Sequence, residues 1–353
     1  MTGFKLYDKN YKRLFILPVI LTVIFLLITF VFPGMTLGLD FQGGTRVIVN
    51  TDKLQEQPVK DLLTQDLGLP EVKVSIVSSP FGTSARIEYA EPKHLADARD
   101  LLDQGVELKS KNPDQAQSTL LQVFQKLSLP APAFTGIDEL VSAASEAVNA
   151  ESSKIANSVR QELITQFGLD PNTPFTTEQV TPTFGASFLT NTILVAVAGI
   201  VLLTVVIFIF FREFIPSIAV VEAVLFDMLA ALALLTLFGF SITLSTVAAL
   251  LMMVGYSVDT DILLTTRLLK RKDKTVIERA NDTLITGMTV TATLFGATLV
   301  MLIVSWYSQI TIIYEISATI LFGLIGDVIA TWFTNAPILL WYWEKKNGSI
   351  SSS

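Results

Sequence analysis

Apolar residues along this chain fall into two regimes. Six stretches are almost continuously apolar: 14–32, 188–211, 215–238, 242–266, 283–307 and 310–342. Each is close to or above the ~20 residues that a helix needs to cross the roughly 30 Å hydrocarbon layer of a bilayer. Between the first and second stretches, residues 33–187 follow other periods. TRVIVNT (45–51), VKVSIVSS (72–79) and SARIEYA (84–90) are rich in β-branched residues and bounded by turn formers, which predicts strands. VKDLLTQDLG (59–68) places Leu62, Leu63 and Leu67 on one helical face, helical spacing returns over 92–127 and 137–167, and TEQVTPT (177–183) predicts a last strand. SSPFGTS, with Pro80 and Gly82, predicts the hairpin loop between the second and third strands. Phe81 at its tip is either a buried anchor or part of a contact surface for another chain. The order β-α-β-β-α-α-β predicts a ferredoxin-like, split-βαβ sheet with extra helix before the final strand. The fold class read here is α+β: six membrane helices, with a ferredoxin-like domain inserted between the first and the second.

Composition agrees with spanning helices. Hydrophobic residues make up 51% of the 353 and charged residues 16%, against about 25% charged in a soluble domain. Membrane lipid is therefore an expected partner. The first apolar core, about 19 residues, exceeds the usual 7–15 of a signal peptide and no small-x-small site follows it, so a permanent anchor is expected. Lys5, Lys9, Lys12 and Arg13 precede the first span, Arg212 follows the second, six basic residues between Arg267 and Arg279 follow the fourth, and Lys345 and Lys346 follow the sixth. The alternate connections carry none. Short cytoplasmic segments retain Lys and Arg, which predicts a cytoplasmic N-terminus (1–13), loop (267–282) and tail (343–353), with 33–187 outside.

The exterior segment from residue 34 holds 20 acids against 12 bases, a net charge of −8. Nucleic acid is not an expected partner, because its phosphates need a basic surface. Cysteine is absent, which removes disulfides and thiolate metal sites. His94 is the only histidine, has no neighbouring ligand types, and reads as a surface residue at a helix start. With no nucleophile elbow, phosphate-cradling glycine loop or zinc spacing, neither an enzyme, a cofactor nor a metal site is expected.

Three motifs carry more. LGLDFQGGTRVIVN (37–50) leads from the membrane into the first strand through Gly43 and Gly44, residues that allow close approaches or positive φ. TPTFGASF (181–188) precedes the second span, and VGYSVDTDILLTTRLL (254–269) lies in the fourth. Together they resemble the signatures of the SecD/SecF family, accessory membrane components of Sec protein export within the resistance-nodulation-division superfamily. The family's order of one span, an exterior domain and five spans is also present. The resemblance points to Asp40, Phe41, Gln42, Gly43, Gly44, Gly255, Tyr256 and Ser257 as motif residues, and Gly-Tyr-Ser favours the SecF branch. It implies a SecD-like subunit, the Sec translocon channel and a preprotein in transit as partners, and a transmembrane gradient of H+ or Na+ as the drive. Bacterial SecF usually reads Gly-Tyr-Ser-Ile-Asn-Asp here, which puts its acid at the position of Thr260. The Val-Asp-Thr-Asp pattern resembles the archaeal branch. An arginine usual near the start of the bacterial fifth span has no counterpart between Thr283 and Tyr307.

Acids stand well inside the spans: Glu222 and Asp227 in the third, Asp259 and Asp261 in the fourth, Asp327 near the middle of the sixth. No basic residue lies well inside any span. A carboxylate near a bilayer centre costs about 3 kcal/mol or more, so these groups are expected to carry a proton or hold a cation. Asp259 and Asp261 diverge by about 200° on a helix and need separate partners. Asp261 shares the stripe Ser257, Asp261, Thr265; Asp259 lies one turn after Gly255, where a small residue could admit another helix. Asp259 is the first expectation for the coupling acid and Asp261 the second. Two alternatives remain open: the acids merely hold helices together, or the chain is half of a lipid or drug transporter of the same superfamily.

Overall fold

The computed structural model describes residues 6–8, 10–79, 82–180, 182–271, 274–308 and 310–347. The hairpin tip at Pro80 and Phe81 lies outside them. The chain divides into two compact units, residues 38–191 and residues 1–37 with 192–353.

The α/β unit begins with a short helix α2 (Leu39–Gln42), which follows helix α1 (Ile16–Phe30) of the other unit. Strand β1 (Gly44–Asn50), helix α3 (Glu56–Asp61) with a π-turn over Leu62–Asp66, and strands β2 (Lys73–Ser79) and β3 (Gly82–Tyr89) come next. The sheet is completed by β4 (Phe175–Val180), in the order β2-β3-β1-β4, with every neighbouring pair antiparallel. Cross-strand pairing pins this register: Arg46 on β1 ion-pairs with Glu88 opposite it on β3 and with Glu178 opposite it on β4.

Gly44 starts β1 for a steric reason. Its φ is +146°, and a Cβ there would stand 2.3 Å from the Tyr89 carbonyl oxygen of β3. Only glycine combines that torsion with that approach.

Three helices follow β3. The helix expected over 92–127 is two, α4 (Lys93–Leu108) and α5 (Pro113–Lys126). Pro113 lacks the N–H that a continuous helix needs, and Asn112 accepts the Gln115 amide as an N-cap, so the chain restarts there. Helix α6 (Ile137–Phe167) is long enough to serve two cores. Leu140, Ala144 and Val148 pack with Leu95 of α4 and Leu120 and Phe124 of α5; Val159 and Leu163 pack under the sheet with Val47, Val49 and Ile87. Gly168 ends α6 in the left-handed conformation. A bidentate ion pair, Glu91 with Arg99, is buried at the start of α4. His94 is exposed in the first turn of that helix. The last strand covers 175–180 rather than 177–183, because Pro182 opens the next helix.

The second unit holds α1, then α7 (Pro182–Phe211) from residue 192, α8 (Phe214–Leu237), α9 (Leu244–Lys270), α10 (Val276–Tyr307), α11 (Thr311–Ile329), a π-helical segment over Ala330–Asn335, and α12 (Ala336–Asn347). Among the described residues six helices are long and apolar enough to cross a membrane, the last running from Thr311 to Asn347. The expected loop 267–282 is mostly helix. A capping box between Thr275 and Glu278 starts α10 ahead of its apolar part, and α9 runs on to Lys270.

Small residues set the packing, as they do where helices meet in lipid. Ala223, Ala230, Ala231 and Ala233 of α8 are fully buried. Gly326 of α11 lies so close to α8 that a Cβ would stand 2.7 Å from Ala230 Cβ and 3.2 Å from Asp227 Cα. Gly287 of α10 accommodates the Trp332 ring in the same way.

Candidate functional site

The close approach at Gly326 brings an acid of α8 beside an acid of α11, and α9 supplies a third. Asp227 and Asp261 are fully buried and Asp327 is 3% exposed. Two stripes at i, i+4 spacing face one another: Ser257, Asp261 and Thr265 on α9; Asp327, Thr331 and Asn335 on α11 and the π segment. The Ser257 hydroxyl donates to Asp227 Oδ2. Thr331 Oγ1 stands 3.3 Å from Asp327 Oδ1 and 3.1 Å from Asp261 Oδ1. Asn335 Nδ2 donates to Asp261 Oδ1 at 2.7 Å. The result is a chain of contacts, Asp327–Thr331–Asp261–Asn335, with the Ser257–Asp227 pair beside it where α11 meets α8.

Two properties separate this chain from ordinary helix glue. Among the described residues no basic group bonds to any of these three acids, so in a low-dielectric interior their charges would repel without compensation. Several buried oxygens also have no partner among the described residues: Asp227 Oδ1, Asp261 Oδ2, Thr265 Oγ1 and Asn335 Oδ1. Buried polar atoms are nearly always bonded, and exceptions gather where a site has work to do.

The π segment belongs to this arrangement, since irregular helical turns recur at functional sites. It is held from below by the N-terminal segment. The Tyr7 hydroxyl donates to the Trp332 carbonyl at 2.8 Å, and Asn281 Oδ1 of α10 accepts from the Leu6 and Tyr7 amides.

Asp259 lies elsewhere. It is exposed, on the opposite side of α9 from Asp261, as their angular separation requires. Gly255 has open space where a Cβ would stand, with no atom of the described residues within 4 Å of it. Asp259 does line a fissure of about 310 Å³ between α9 and α10, with Tyr256, Thr260 and Gly287, and Asp327 reaches the same fissure. Glu222 is half-buried on α8; its Oε2 is shielded and, among the described residues, has no partner. The remaining motif residues are placed in the α/β unit, where Phe41 is buried, Asp40 sits in the first turn of α2, and Gly43 has φ +72°.

Thr331 and Asn335 are the residues that sequence reading missed. Their spacing from Asp327, four and eight residues, was a usable signal: it continues the acid's stripe with hydrogen-bonding side chains through an otherwise apolar helix.

Comparison with known proteins agrees with the motifs. Residues 162–345 match the family model described as protein export membrane protein SecD/SecF, C-terminal, and residues 28–53 match the SecD/SecF GG motif. The chain is similar to the protein-export membrane protein SecF of Methanolacinia petrolearia, 44% identical over 47% of this chain and 59% of that protein. It is similar to SecF of Pyrococcus furiosus, 40% identical over 54% of this chain and 63% of that protein. These alignments span about six-tenths of those relatives. SecF of Methanopyrus kandleri aligns over 95% of this chain and 96% of its own length at 27% identity. Among solved structures, SecDF from Thermus thermophilus, a translocon-associated membrane protein, superposes over 95% of this chain and 38% of that chain, with a TM-score of 0.59 at 16% identity. A super-membrane-facing form of SecDF gives a TM-score of 0.55 at 15% identity, over 100% of this chain and 40% of that one. At such identity the likeness concerns the fold. With more than half of its length inside the first family model, and its glycine-glycine turn inside the second, the chain belongs to the SecD/SecF family of protein-export membrane proteins.

Proposed function

We propose that this chain is an accessory component of Sec protein export, working with a SecD-like chain beside the translocon channel and drawing on a transmembrane ion gradient to help a preprotein emerge. The observation that carries the ion-coupling part is the buried acid–hydroxyl cluster, in which Asp261, Asp327 and Asp227 meet without a cation. Asp261 takes the role expected first of Asp259, because Asp261 is the one enclosed with the other acids. Asp259 faces outward at the mouth of the fissure, a position that suits contact with the SecD-like chain. The α/β unit, with its order β2-β3-β1-β4, is a ferredoxin-like domain on the exterior side. The ion is H+ or Na+.

The test is export from cells or vesicles containing this chain and its partner, with the gradient intact and collapsed. Stimulation that vanishes with the gradient supports the reading; stimulation indifferent to it removes the coupling. Orientation has its own measurement. A cysteine introduced at exposed Ser110 is expected to react with a membrane-impermeant thiol reagent in intact cells, and one at Arg271 is not. The reverse pattern inverts the topology.

A further inference from the structure

The wide turn over Ala330–Asn335 has a sequence cause that lies just beyond it. Pro337 is buried in the first turn of α12. A proline inside a helix has no N–H to donate, and its ring crowds the carbonyl four residues back, here that of Phe333. Opening the turn relieves that crowding and moves the hydrogen bonds by one residue, so that the Ala336 amide donates to the Thr331 carbonyl, five residues back. In this register the carbonyl left without a backbone donor is that of Trp332, because the residue five positions on is Pro337. The Tyr7 hydroxyl supplies the donor, at 2.8 Å. In an α-helical register the Ala336 amide would satisfy Trp332, and the orphan would be the Phe333 carbonyl, about 100° further round the helix. Tyr7 therefore stabilises one register only.

The register matters to the buried acids. Residues eight apart on an α-helix point about 80° apart, whereas a turn that absorbs one extra residue reduces the difference to about 20°. Asp327 and Asn335 are eight apart. The wide turn lets Asn335 bond Asp261 while Thr331 stays between Asp261 and Asp327. Tyr7 is itself clamped: Asn281 Oδ1 accepts from the Leu6 and Tyr7 amides, and Asn281 Nδ2 donates to the Tyr7 carbonyl at 3.3 Å. Further along the segment the Tyr11 hydroxyl donates to Glu344 of α12 at 2.6 Å.

We infer that Tyr7 is a positioning residue of the buried site: its hydroxyl stands in for the amide proton that Pro337 lacks, selects the π register of the last span, and so fixes Thr331 and Asn335 against Asp261. The functional consequence rests on the ion-coupling reading above, and the geometry of the turn does not. The N-terminal segment, which no motif marks, thereby determines what Asp261 is bonded to.

The test is solid-state NMR of the purified full chain in lipid bilayers. The pairs Thr331–Trp332 and Trp332–Phe333 each occur once in the sequence. Carbonyl-labelled threonine with nitrogen-labelled tryptophan, and carbonyl-labelled tryptophan with nitrogen-labelled phenylalanine, therefore each give one signal from one carbonyl. Tyr7→Phe keeps the buried ring and removes only the hydroxyl. It is expected to move the Trp332 signal and to bring up a second Thr331 signal, because in the tightened turn that carbonyl exchanges the Ala336 amide for that of Asn335. The balance of the two registers is expected to shift about fivefold, the scale of one ordinary hydrogen bond, and gradient-dependent export to fall by a comparable factor. Asn281→Ala, which releases the segment without removing the hydroxyl, is expected to give the same second signal. A hydroxyl that merely covers a carbonyl would move Trp332 alone. The inference is overturned if Thr331 keeps its single original signal in either variant, or if the register shifts in Tyr7→Phe while gradient-dependent export stays at full strength. Export that ignores the gradient in the unchanged protein, beside signals that behave as expected, discards the coupling reading and keeps Tyr7 as the residue that sets the turn.

Discussion

Replacing Asp261 by Asn is expected to leave a folded, partner-bound protein whose gradient-dependent stimulation of export falls by about tenfold or more, corresponding to ~1.4 kcal/mol of lost coupling. The amide retains an acceptor oxygen for Thr331 and Asn335, the two donors that Asp261 Oδ1 meets, so helix packing has no reason to change. Titration is what disappears. Asp259→Asn is the matched control: two residues away, also an acid, but exposed on the other side of α9. It is expected to retain most of the gradient-dependent stimulation, with any effect appearing in copurification of the SecD-like chain. Asp261→Leu is expected to do worse than Asn, because it leaves the Asn335 amide without its acceptor and the Thr331 hydroxyl with Asp327 alone, at a cost of about 1–3 kcal/mol for the orphaned amide. The measurement is export with and without the gradient, scored beside copurification and thermal stability. Full stimulation by Asp261→Asn together with loss in Asp259→Asn would return the role to Asp259 and leave the buried chain as structural bonding.

The largest effect on folding is expected at Gly44. Alanine there must hold φ near +146° and place its Cβ 2.3 Å from a backbone oxygen of Tyr89. A backbone strained in this way costs roughly 1–3 kcal/mol before the clash is relieved. Relief would mean parting β1 from β3 at the Thr45–Tyr89 end of their pairing. A fragment spanning 38–180, whose two cores are internal to it, is expected to fold cooperatively on its own. In that fragment Gly44→Ala is expected to lower Tm by roughly 10 °C. Gly68→Ala is the comparison, since Gly68 also has positive φ (+61°) but open space around the missing Cβ. It carries the torsional cost alone and is expected to shift Tm by only a few degrees. Differential scanning calorimetry of the three proteins decides, and equal shifts would mean that the approach to Tyr89 costs nothing.

Legibility in the sequence differed by element, for identifiable reasons. The strands β1, β2 and β3 were readable because β-branched runs between turn formers have few other outcomes. The break between α4 and α5 was written in Asn-Pro at 112–113, yet amphipathic spacing continues on both sides and hid it. The ends of α9 and α10 were misplaced because hydropathy locates the apolar part of a helix, whereas a capping box and charged turns extend it beyond the hydrocarbon.

The sequence alone determined that six segments are apolar enough to span a membrane, that an α/β unit interrupts them, and that acids sit well inside the spans without a base. It also required Asp259 and Asp261 to point apart, because 3.6 residues per turn leaves no choice. Which of the two faces inward was decided only by tertiary structure. An amphipathic helix announces its buried face by polarity, but α9 carries an acid on each of two opposite sides, Asp259 and Asp261, so polarity alone does not choose between them. The decision came from volume instead. Gly326 lets α11 meet α8, that contact carries Asp327 to Asp227, and Ser257 and Asp261 are the α9 residues that complete the space between them. Close packing of small residues is a property of pairs of helices, and no single helix encodes which pair will form.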